Sequence, residues 1–121
     1  MKRSLLQVYV KGSVDAVAFY QMVFDTKVTN EHKNSNGQYI HAELDICGQI
    51  LAVSEKARRK HGNNMQFCIQ FNEDERAKLV KAFKTLKEGA IKIEHNCKPC
   101  FYSPLMASLI DKYGIYWCLF V

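Results

Sequence analysis

The stretch from residue 38 to residue 47 alternates more cleanly than any other part of the chain, and it constrains the rest. Ile40, Ala42, Leu44 and Ile46 fall on one face, and Tyr39, His41, Glu43 and Asp45 fall on the other. A period of two belongs to a strand with one buried face, whose opposite face is left for polar groups. Such a strand needs a layer to cover its apolar side. The sequence offers two helices for that purpose.

Ser13 is placed to cap a helix running to about Phe24, with Val14, Val17, Ala18 and Val23 or Phe24 as its apolar stripe. Asn72, followed by Glu75 three positions on, resembles a capping box and opens a second helix to about Glu88. That helix buries Leu79, Val80, Phe83 and Leu86, and Gly89 ends it. Strands are expected over residues 5–10, 26–29, 38–47, 50–53, 66–71, 90–95, 105–110 and 115–121. Asn36-Gly37, Gly48-Gln49 and Tyr113-Gly114 mark turns. The order is β-α-β-β-β twice. It predicts an α+β fold of two βαβββ modules, about 1–60 and 61–121, in a single domain of 121 residues.

Strand parity then sorts the remaining side chains. Leu6, Val8 and Val10 go to the helix, leaving Leu5, Gln7 and Tyr9. Phe67, Ile69 and Phe71 leave Gln66, Cys68 and Gln70 opposite, and Ile115, Trp117 and Leu119 leave Tyr116, Cys118 and Phe120. Aromatics around a few polar groups are the composition of a small-molecule pocket. A partner subunit covering the same face is the competing reading.

Lys and Arg number 17 against 12 Asp and Glu, a net charge of +5. This modest excess permits an anionic ligand without specifying one. The cluster Lys56, Arg58, Arg59, Lys60 and His61 reads as a solvated rim loop. Lys78, Lys81, Lys84 and Lys87 read as one solvated helix flank. No aromatic interleaves these charges, so nucleic-acid binding is not expected. No apolar run approaches a membrane span, and Gln7, Tyr9 and Lys11 interrupt any signal-type segment. Five cysteines, an odd number, argue against a secreted disulfide framework and for reduced thiols in the cytoplasm.

Four segments, in order, carry a likeness. They are residues 16–24 (Ala-Val-Ala-Phe-Tyr-Gln-Met-Val-Phe), His41-Ala42-Glu43-Leu44 with Gly48, residues 67–71 (Phe-Cys-Ile-Gln-Phe), and residues 109–117 (Leu-Ile-Asp-Lys-Tyr-Gly-Ile-Tyr-Trp). The chain resembles the vicinal-oxygen-chelate superfamily of glyoxalase I, bleomycin-resistance proteins and extradiol dioxygenases, and within it the single-domain PhnB-like proteins. The resemblance implies paired modules curling into a half-open barrel around a cavity, and a homodimer. Metal-dependent members place a His or Glu ligand on each of four cavity strands. They use a divalent metal as a Lewis acid. Carried over, those positions fall on Leu5 or Gln7, on Glu43, near Gln66, and on Cys118, where a metal enzyme carries Glu. Glu43 alone has the expected chemistry, and His41 beside it adds one nitrogen. Two ligands from one strand make a poor divalent-metal site. Many PhnB-like chains carry an aromatic pair before Gly; here the segment reads Phe101-Tyr102-Ser103.

His41-Ala42-Glu43 with Cys97-Lys98-Pro99-Cys100 is similar to the nucleoside-deaminase zinc signature. In that fold the elements open helices, whereas here His41 sits within an alternating strand and Pro99 and Pro104 disfavour a helix. Two reduced cysteines in a loop are the simpler expectation for Cys97 and Cys100.

The leading expectation is a PhnB-like protein binding a small molecule. As an enzyme it would be a metal-dependent lyase, isomerase or dioxygenase other than glyoxalase I. Glu43 would be the metal ligand or general base and His41 the orienter or acid. The alternative is a non-catalytic protein that sequesters a drug-like compound without metal. Its ligand would rest on Tyr9, Tyr39, Tyr116 and Phe120, with Gln7, Gln66 and Cys118 as polar contacts. A bare dimeric scaffold with a filled cavity is the third.

Overall fold

The first and last strands of each half run parallel and side by side, which forces the chain through a helix and two further strands before it can close the pair. The structure is a computed structural model and describes residues 2–3, 5–57 and 65–121. It divides into two units, Met1–Lys60 and His61–Val121. In the first, β1 (Leu5–Val10), α1 (Ser13–Phe24), β2 (Val28–Lys33), β3 (Tyr39–Ile46) and β4 (Gln49–Glu55) give a sheet of order β1-β4-β3-β2. In the second, β5 (Phe67–Gln70), α2 (Arg76–Leu86), β6 (Lys92–Cys100), β7 (Ser103–Ile110) and β8 (Tyr116–Phe120) give β5-β8-β7-β6. The predicted α+β fold of two βαβββ modules is what the structure shows.

In the first unit, α1 packs on β3 and β4. Its buried stripe is Ala16, Val17, Phe19, Tyr20 and Val23. Val14 and Ala18, expected in that stripe, are exposed. The apolar run is continuous around this helix, so spacing did not identify the seam. Ala42, Leu44, Leu51 and Val53 lie beneath it, and the pairs Ala42–Val53 and Leu44–Leu51 sit in register. Ile40, expected to join them, is 59% exposed.

Helix α1 begins differently from the expectation. Gly12 holds the N-cap position in the left-handed region, at φ 80°, and no side chain of the cap residue bonds back. The carboxylate of Glu55, at the end of β4, accepts the Gly12 and Ser13 N–H groups at 3.0 and 2.8 Å. A carboxylate suits the positive end of a helix. Burial works against its ionisation, but these backbone bonds win and hold its pKa below the ordinary value. Ser13 instead accepts the Tyr39 N–H at 2.9 Å, tying the helix start to β3.

Several boundaries also differ. The second strand starts at Val28 and runs on to Lys33, through residues too polar to read as a strand. The β3–β4 turn is centred on Cys47 and Gly48, at φ 52° and 85°, one residue earlier than expected. Paired left-handed residues suit a two-residue hairpin. The segment Cys97-Lys98-Pro99-Cys100 lies in β6 rather than in a loop. Pro99 is tolerated because β6 is an edge strand whose register with β7 is irregular.

The second unit is built around Trp117. Its indole is fully buried, with the Phe67 ring 5.1 Å away and Leu109 and Leu119 buried beside it. Helix α2 covers β7 and β8 with Leu79, Ala82, Phe83 and Leu86. Each large apolar side chain buried this way contributes about 1.5–3 kcal/mol. Lys78, Lys81, Lys84 and Lys87 are exposed, as expected of a solvated flank. Asp111 fixes the hairpin below the indole. One carboxylate oxygen accepts the Tyr113 and Ile115 N–H groups at 2.9 and 3.0 Å, and the other accepts the Trp117 indole N–H at 2.8 Å. Asp111→Ala strips the acceptor from three donors, each costing about 1–3 kcal/mol when left unpaired in the interior. Urea unfolding of this variant should show a loss on the order of 3 kcal/mol; a loss well under 1 would mean the carboxylate is dispensable.

Candidate functional site

Within the first unit, the face of the sheet turned away from α1 carries a polar row. Gln7, Ala52 and Glu43 are register neighbours across β1, β4 and β3. Ala52, the small residue in the middle, leaves room between the longer side chains. The Gln7 amide donates to the Ser54 hydroxyl at 2.9 Å and to the Ala52 carbonyl at 3.2 Å. This fixes its orientation toward β4.

Glu43 is 3% exposed, and its partners close over it. Arg3 grips both carboxylate oxygens, with N–H···O distances of 2.7 and 2.8 Å. The His41 Nε2 lies 2.8 Å from one of the same oxygens. The Arg3 hydrogen bonds, followed by that from His41, pull the Glu43 pKa down to about 2, against the opposing effect of burial. A fork of two parallel N–H···O bonds is the strongest arrangement available to this pair of groups. Arg3 escaped the sequence reading, which took it as part of a basic terminus. The signal was present: carrying the odd-numbered series Leu5, Gln7, Tyr9 two residues upstream places residue 3 on this face.

The expected aromatics of this unit divide. Tyr9 is partly exposed, with the Lys56 ammonium 5.5 Å from its ring centre. Tyr39 is buried, with Lys33 over its ring at 4.9 Å. Burial, and then a hydrogen bond to Glu31, raises its phenol pKa. Tyr39 is therefore engaged in the fold, whereas Tyr9 keeps 40% of its surface exposed. The predicted rim residues 58–61 lie outside the described residues; Lys56, at the near end, is exposed.

Within the second unit, the face away from α2 carries Cys68, Tyr116, Cys118 and Phe120, with Gln66 just before β5. The Gln66 amide reaches the Ser108 hydroxyl at 3.4 Å. Cys118 is 4% exposed, and its sulfur lies 3.9 Å from the Tyr102 hydroxyl. Burial, with the neighbouring Cys118 and Cys100, pushes the Tyr102 phenol up to about 12. Tyr102 also meets Phe120 edge to face, with ring centres 5.9 Å apart. Tyr102 was noted in the sequence only as a departure from a motif, because a turn residue has no strand parity to place it.

The donor set does not fit a divalent metal at Glu43. Its two oxygens already hold a guanidinium, and among the described residues one imidazole is the nitrogen ligand brought to it. Among the described residues no three His, Cys, Asp or Glu side chains group as a metal site.

Two βαβββ modules in one chain make a fold that solved proteins share. The PhnB protein of Bacillus cereus is similar over 98% of both chains, with a TM-score of 0.81 at 19% identity. The fosfomycin resistance protein FosX of Listeria monocytogenes, solved elsewhere with Mn(II), gives 0.75 at 14% identity over 98% of this chain and 91% of its own. TioX of Micromonospora sp. ML1 gives 0.65 at 18% over 97% of both chains. These likenesses are of fold. The sequence matches no family model and no curated protein.

The Glu43 pairing has a pH signature. Its pKa is depressed in the fold, from an ordinary 4.5 to about 2, so its stabilisation is complete above pH 4.5 and is lost as pH falls toward 2. Thermal melts at stepped pH should show the wild type losing stability across that window. Glu43→Gln should be less stable at pH 7 and flatter through it. An unchanged acid limb in the variant would show that the clamp does not form in solution.

Proposed function

We propose that this chain is a small-molecule-binding protein of the PhnB-like type that works without a metal, holding an aromatic, drug-like compound rather than transforming it. One observation carries the reading: the bidentate grip of Arg3 on Glu43. A carboxylate in that grip, with its pKa held near 2, is a poor general base and has no oxygen free of a cation. The guanidinium takes the electrostatic place that a metal would fill. Three of its five N–H donors remain after the two bonds to Glu43, so the site presents donors outward instead of an open coordination position.

Within the first unit, Tyr9 supplies ring surface to such a ligand beside the Arg3 donors. No helix among the described residues is long and apolar enough to cross a membrane. The five cysteines stand as thiols, which suits a cytoplasmic, reducing location. A homodimer accords with the exposed apolar side chains, among them Met22, Ile40 and Phe101.

A thermal-shift screen of planar aromatic compounds, run with and without a chelator, tests this function. A compound present at 100 times its Kd stabilises by about 2.7 kcal/mol, a shift of several degrees. The shift should survive the chelator and shrink in Tyr9→Ala. A shift abolished by chelation and restored by Mn(II) would establish the metal-dependent reading instead. Silence at all doses would reject ligand binding of this class.

A further inference from the structure

Four of the five cysteines fall in the second unit, and two of them face each other. Cys68 in β5 and Cys118 in β8 are register partners in a parallel pair, on the face turned away from α2. Neighbouring strands run about 4.8 Å apart, with side chains directly opposite pointing the same way. Two sulfurs on such a pair start at roughly that spacing. An S–S bond of about 2.04 Å would draw both sulfurs in from that spacing. A cation between two thiolates requires much less, because two metal–sulfur bonds of about 2.3 Å span about 4.6 Å.

The surroundings fit such an ion. The Tyr102 hydroxyl sits 3.9 Å from the Cys118 sulfur, placed to donate to a thiolate. The Cys68 thiol lies 3.5 Å from the Gln66 side-chain oxygen. Cys68 is exposed and Cys118 is nearly enclosed, so an ion has an entry side and a sheltered side. Cys100 lies close enough to act electrostatically on both Tyr102 and Cys118. Burial, opposed by Tyr102, pushes the Cys118 thiol pKa up.

The geometry points to a binding site for a soft univalent cation, copper(I) or silver(I), held between the sulfurs of Cys68 and Cys118. Thiolates select soft ions, and a univalent ion of this class is satisfied by two of them. On binding, each thiol releases its proton to solvent and two metal–sulfur bonds form. The metal keeps its oxidation state, and the site gains one net negative charge, which the Tyr102 hydroxyl faces. The site involves neither Glu43 nor Arg3 and does not rest on the proposed small-molecule function.

The test is an anaerobic titration of the full reduced chain with copper(I) in competition with bicinchoninate, repeated on serine variants. One ion per chain is expected. Cys68→Ser should weaken binding by roughly a hundredfold or more, the scale on which metal sites respond to altered ligation. Cys118→Ser should match it, and Cys47→Ser should leave it unchanged. Cys68 is exposed, so its variant keeps the measurement interpretable if the Cys118 variant unfolds. X-ray absorption should show two sulfurs around the ion. Equal losses in every variant, or none in Cys68→Ser, would leave an adventitious ion only and overturn the assignment. Ready formation of a Cys68–Cys118 disulfide under mild diamide oxidation would overturn the spacing argument behind it.

Discussion

One helix covers one face of a four-stranded sheet, and everything else in this molecule is arranged around that limit. In each unit the apolar face is sealed by its helix, through Ala42, Leu44, Leu51 and Val53 in one and Trp117, Leu109 and Leu119 in the other. The opposite face cannot use the same helix. It carries polar and aromatic side chains in fixed register. Among the described residues no buried side-chain nitrogen or oxygen lacks a hydrogen-bond partner. Parallel pairing of the first and last strands sets that register, since it places Gln7 beside Ala52 and Cys68 beside Cys118.

The clamp on Glu43 shows how a buried carboxylate on a sheet face is satisfied. Placing a carboxylate on the polar face of a central strand creates a need for a cation. In this chain the need is met by an arginine from the segment before β1. Arg3 is itself about half exposed, so the pair sits at the boundary between a screened surface bridge and an enclosed one. His41 adds a hydrogen bond on the sheltered side, which limits how far the carboxylate can turn.

The sequence showed the architecture well because the fold depends on period and punctuation. The alternation in β3 from Ala42 onward, the capping box at Asn72 and Glu75, and Gly89 after α2 are local signals that the structure repeats. Boundaries set by tertiary pairing were less legible. β2 extends to Lys33 because β3 is there to pair with it, not because its own residues favour a strand. Pro99 hid the length of β6 in the same way, since an edge position excuses a residue that a central strand would refuse. The α1 cap was misassigned to Ser13 because the true capping group, Glu55, lies 42 residues away. In the site, His41 and Glu43 were visible from parity. Arg3 and Tyr102 were not, since each lies outside a strand and reaches its partner across the fold.

The irregular edge of the second sheet has a consequence for how copies of this chain meet. β6 presents a bulged outline, a proline without an N–H, and the charges of Lys92, Glu94 and Lys98. β2, the corresponding edge in the first unit, carries Glu31, His32 and Lys33. Neither border offers an even ladder of donors and acceptors on which a stray strand could dock. These two borders are thereby guarded against runaway sheet extension and fibrillar stacking, and any self-association through them is steered toward side-chain surfaces.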